Sequence, residues 1–143
     1  MIPIIFGGFQ SFEVKDMVGK TFTKVEQTHQ GHDQDAVLFV DRVGDHYLFH
    51  HIQSCCEGVN IHEIVGNLDD LVGSPLLVAE VVSNSAVGDD EYGTQTWTFY
   101  KFSTINGSVT MSWHGTSNGY YSESVDHTFV KGGRYDCGGS NLD

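Results

Sequence analysis

Residues 94–104 (TQTWTFYKFST), the turn Ile105-Asn106-Gly107 and residues 108–114 (SVTMSWH) decide the fold. Both runs are rich in β-branched and aromatic side chains and alternate in polarity, which is a strand pattern. Asn-Gly tolerates the positive φ that tight turns need, so the two runs read as one antiparallel hairpin. Val109, Met111 and Trp113 form an apolar stripe, with Ser108, Thr110, Ser112 and His114 on the other side. In the first strand Trp97 and Phe99 point one way and Tyr100 and Phe102 the other, which predicts cover on both faces.

Outward from the hairpin, Ser74-Pro75 launches a strand over 76–83, and the acidic stretch 84–93 reads as an exposed loop. Residues 36–41 and 46–51 pair about Arg42-Val43-Gly44-Asp45. In the second of these, Leu48 shares a face with His46 and His50, while Tyr47, Phe49 and His51 take the other. A strand is also expected over 21–27, a loop over 29–35, and a strand over 120–130 with Tyr121, Glu123, Val125, His127 and Phe129 on one face. Residues 12–18 read as a short helix after Ser11. Asn60, then 61–65, then Gly66 matches a one-turn helix with caps. Residues 67–73 read as a second turn, with Leu68, Leu71 and Val72 inward. The expected class is α+β: β-rich, a mainly antiparallel sheet of about six or seven strands with two short helices inserted mid-chain. Residues 1–130 form one domain, and 131–143 a flexible Gly-rich acidic tail.

The chain has 143 residues, which suits one core. Its apolar content of 39% is too high for a disordered chain despite the charge. No apolar run reaches the roughly 20 residues of a membrane-spanning helix, and the first nine residues lack the basic and long apolar regions of a secretory signal. The net charge is −12, and the seven basic residues are scattered, so duplex nucleic acid and anionic membrane are poor partners. The acidity favours solubility or a basic partner. Cys55, Cys56 and Cys137 make an odd set with no disulfide framework. A bond between neighbours needs a strained ring, so two free thiols in a reducing compartment are expected.

Three segments together carry a resemblance: Cys55-Cys56-Glu57 through 64–75 (IVGNLDDLVGSP), then 97–102 (WTFYKF), then 117–122 (SNGYYS). In order and spacing, from about Met17 to Phe129, the chain resembles a small domain of unknown function met mostly in tailed bacteriophages. The resemblance implies a phage accessory protein in the bacterial host cytoplasm and supplies no activity. Ser54 stands where the family has an acid, and Ser112 where it has Arg or Lys before the strand Trp. If that basic residue binds an anion in relatives, Ser112 has lost the contact in this chain.

Four clusters are candidates for chemistry. His50, His51, Cys55, Cys56, Glu57 and His62 offer zinc ligands, but neighbouring cysteines diverge and no C-x2-C is present; the competing reading is a packed strand junction. The same cluster offers a Cys nucleophile with a His base. Ser117, Asn118, Gly119, Tyr120 and Tyr121, with Tyr100, Trp113 and His114, combine turn donors and rings suited to a flat ligand; the competing reading is a turn whose tyrosines cover the core. Asp69, Asp70, Glu80, Asp89, Asp90 and Glu91 lack calcium-loop spacing and read as solvated charge. No cofactor is implied and no catalytic set is assigned. The expected function is a non-catalytic binding module acting in counter-defence, sequestering a small nucleotide-type immune signal or occluding a basic host protein. A Cys/His hydrolase or metal-binding protein is the alternative, and a virion or assembly component the second. Unpaired sheet edges make a homo-oligomer an option.

Overall fold

The computed structural model describes residues 9–29, 34–87 and 93–133. Among them are nine strands: β1 (Phe9–Ser11), β2 (Phe22–His29), β3 (Asp35–Asp41), β4 (His46–His50), β5 (Gly58–Val65), β6 (Val78–Val87), β7 (Thr94–Thr104), β8 (Gly107–Ser117) and β9 (Asp126–Val130). They form two antiparallel sheets, ordered β1-β9-β4-β3-β2 and β5-β8-β7-β6. The fold is a β-sandwich, which corrects the α+β expectation.

The helices fail for a specific reason. In β5 the register against β8 shifts between Ile61 and Glu63, a β-bulge. The bulge lets Ile61 and Ile64, three apart, both pack on the core. Three-residue spacing imitates a helical face, although the backbone is strand. The other two helical segments are single 3-10 turns, Val14–Met17 and Leu68–Leu71. Val14 and Met17 are buried, as the three-residue period of a 3-10 turn allows. Leu71 is buried while Leu68 and Val72 pack beside it, so the inward face of that segment was read correctly.

The 94–114 hairpin forms in register from Thr94↔Ser117 to Thr104↔Gly107. The β3–β4 hairpin also forms, and Asp41 holds its turn by accepting from Val43 N at 3.0 Å and Asp45 N at 2.9 Å. Tyr47, Phe49 and His51 are buried as a set. The strand expected over 120–130 is confined to β9, and the residues before it make a turn.

Aromatic rings join the two sheets. Phe39 meets Phe102 at 5.0 Å, and Phe49 meets Tyr100 at 5.0 Å and Phe102 at 5.8 Å. Their edge-on and tilted geometry favours ring quadrupoles. Among the described residues, only one face of β7 is covered: Tyr100 and Phe102 are buried, while Phe99 is 38% exposed. The aromatic content of β7 therefore does not signal two covered faces.

Candidate functional site

The loops between β4 and β5 and between β8 and β9 meet at one end of the sandwich. In the first, His51 and Glu57 are both buried, and His51 Nε2 lies 2.7 Å from Glu57 Oε2. His51 Nδ1 donates to the Ser124 carbonyl at 2.8 Å. Both ring nitrogens therefore lie within hydrogen-bond distance of an oxygen, one on each loop. Glu57 also accepts from Ser54 N at 2.8 Å and Cys55 N at 2.9 Å. The His51 hydrogen bond, then the Ser54 N–H, hold the Glu57 carboxyl down at about 2 against the opposing effect of burial. Gln53 Nε2 donates to the carbonyls of Cys55 and Glu57, closing the turn. Cys55 and Cys56 stand exposed on it as a disulfide, which corrects the expectation of two free thiols. The turn, fixed by Glu57, presents both sulfurs together.

In the second loop, Ser117 Oγ donates to Glu123 Oε2 at 2.6 Å and Thr96 Oγ1 to Glu123 Oε1 at 2.8 Å, and Thr94 Oγ1 adds a third bond. Burial pushes this carboxyl up, but the three hydroxyls outweigh it and hold it below its ordinary value. Ser117 Oγ accepts from Gly119 N, and Asn118 Oδ1 from Tyr120 N, each at 2.9 Å. The turn is thus pinned at its base, and Tyr120 stands 82% exposed, edge-on to Tyr121 at 4.9 Å. Gly115 admits the closing segment, since a Cβ there would lie 2.7 Å from the Glu123 carbonyl.

The expected ligand set is divided. Ser117, Asn118, Gly119, Tyr120 and Tyr121 share the turn. Tyr100 and Trp113 are core residues, and their ring faces are taken up by protein. Tyr100 Oη lies 2.7 Å from His127 Nε2; burial raises the phenol and lowers the imidazole. The Trp113 indole N–H meets no acceptor among the described residues. His114 lies on the outer face of the four-stranded sheet, donating to Gln95 Oε1 at 3.0 Å, with its ring 4.3 Å from Trp97.

The expected metal-ligand cluster is dispersed. His50 bonds Thr128 Oγ1 at 2.8 Å on the outer face of the five-stranded sheet, and burial holds its pKa low. His51 points inward, and His62 lies on the other sheet, edge-on to Trp97 at 5.0 Å. Among the described residues, no three of His, Cys, Asp and Glu are grouped to hold a metal ion. Asp69 lies in the Leu68–Leu71 turn, and Glu80 pairs in register with Lys101. Asp89, Asp90, Glu91 and Cys137 lie outside the described residues.

Two features escaped the sequence reading. Trp97, Phe99, His62 and His114 form an aromatic strip on the outer face of the four-stranded sheet. The odd-numbered aromatics of β7 carried that signal. A cleft of about 530 Å³ lies outside the other sheet, lined by Leu48, His50, Ile52, Val125 and Asp126 among others. No periodicity marks it, because it gathers residues from three separate segments.

A family model described as a domain of unknown function (DUF7448) matches residues 15–127. No curated protein and no solved structure matches the chain.

Proposed function

The chain belongs to the DUF7448 family, and from that premise we propose that it is a non-catalytic binding module whose contact surface is the loop end of the sandwich. The observation that carries this reading is the pinned turn: Glu123 is gripped by three hydroxyls at its base while Tyr120 stands almost fully exposed. A turn already ordered costs little entropy on binding, and tyrosine is a frequent anchor of protein interfaces. The charge of −12 favours a basic partner for the molecule as a whole. The motif resemblance to a domain met in tailed phages supports a phage setting in the bacterial cytoplasm; the role we assign there, counter-defence by occluding a basic host protein, rests on the acidity and the exposed turn.

The hydrolase reading needs a thiolate beside an imidazole base. Here His51 is engaged by Glu57 and Ser124, His50 faces outward from the five-stranded sheet onto Thr128, and His62 lies on the other sheet against Trp97, so none of the three stands as a base at Cys55 or Cys56. Sequestration of a nucleotide-type ligand is the second reading, favoured by the 530 Å³ cleft, where Leu48 and Ile52 offer apolar surface and Gln10 and Asp126 polar groups.

The test is photo-crosslinking in bacterial cells from position 120, with position 105 as control. Ile105 is 80% exposed, on the β7–β8 turn at the other end of the hairpin. We expect one basic host protein to be captured from 120 and not from 105. Equal capture from both positions overturns the reading, and recovery of the chain in purified virions favours an assembly role instead. Heat on titration with a nucleotide panel, unaffected by loss of Tyr120, favours sequestration.

A further inference from the structure

We infer that Cys55 and Cys56 form a site of reversible thiol–disulfide exchange, cycled by a dithiol reductant without unfolding of the domain. The argument begins with what the bond does not do. It joins adjacent residues, so the loop it closes removes almost no conformational entropy from the unfolded chain. Disulfides that staple a fold close long loops, and this one is not of that kind.

The turn has its own supports. The Glu57 carboxylate binds the N–H groups of Ser54 and Cys55, His51 anchors that carboxylate from inside, and Gln53 bridges the carbonyls of Cys55 and Glu57. None of these bonds involves sulfur. Both cysteines are exposed on this frame, open to an attacking thiolate.

The exchange balances as two displacements. One thiolate of the reductant attacks one Sγ, the S–S bond breaks, and the departing sulfur takes a proton. The second thiolate of the reductant then attacks the reductant's own sulfur in the mixed disulfide, and the remaining cysteine sulfur departs and takes a proton. The domain gains two electrons and two protons and holds two thiols, and the reductant leaves as its disulfide. In a reducing compartment a bond of this kind is transient and redox-sensing, not structural.

The test uses the full chain with Cys137→Ser, which removes the third thiol. The protein is oxidised with diamide, then treated with dithiothreitol in non-denaturing buffer, and followed by intact mass, peptide mapping and thermal melting. We expect a Cys55–Cys56 peptide linkage after oxidation, a gain of two hydrogens on reduction, return on reoxidation, and a Tm shift within about 2 °C. Free thiols at both positions after oxidation overturn the inference. So does reduction that requires denaturant, or reduction that unfolds the domain.

Discussion

His51 Nδ1 lies 2.8 Å from the Ser124 carbonyl oxygen, and this contact ties the turn after β4 to the turn before β9. Through its other nitrogen the same ring holds Glu57, and the residue before Ser124 is the Glu123 that pins the tyrosine turn. One buried histidine thus links the disulfide turn with the proposed contact surface.

The His51–Glu57 pair gives stability a definite pH dependence. Glu57 sits below its ordinary value of 4.5, at about 2 in the folded chain. Its contribution is fully present above 4.5 and is lost as pH falls toward 2. Glu57→Gln should be less stable than the parent at pH 7, with the two curves converging toward pH 2. Urea midpoints across that range measure this. Glu123 acts in the same direction in both proteins, so the difference between the curves isolates Glu57. A constant offset at every pH would remove the ionised Glu57 carboxylate from the account.

Gly115→Ala probes the closure of the second loop. Its Cβ would meet backbone at 2.7 Å, which no side-chain rotation relieves. The closing segment has to move off β8, and the cost of such overpacking is about 1–3 kcal/mol. Amide exchange at Gly119 and Tyr120 should speed up, because the Glu123 grip loosens. Unchanged exchange together with unchanged stability would contradict the packing described.

Phe49 and Phe99 should respond oppositely to truncation. Phe49 is fully buried among Phe39, Tyr100 and Phe102, so Phe49→Ala should cost about 3–5 kcal/mol. Phe99 lies on the open face, so Phe99→Ala should stay within about 1 kcal/mol. Denaturant unfolding of both variants checks which face of β7 is the core.

The strands were legible where polarity alternates without interruption. The 94–114 hairpin and the pairing about Arg42–Asp45 follow from local chemistry alone, because turn residues and side-chain period act over a few positions. The bulge at His62 defeats that logic, since one extra residue changes the spacing of Ile61 and Ile64. Which face of β7 is buried depends on where the second sheet lies, and no window on β7 contains that information. The site was legible only in its turn. Glu57 looked like one more ligand beside Cys55 and Cys56, and its role as the anchor of their turn comes from His51 and Ser124, the latter 67 positions further along by the numbering.

The most direct test of the binding account is the affinity of the purified domain for the host protein captured from position 120, measured for the parent and for Tyr120→Ala. The account predicts a Kd weaker by roughly 30-fold or more, as for an interface anchor, with folding unchanged because Tyr120 packs on so little of the domain. An equal Kd for the two proteins would contradict it.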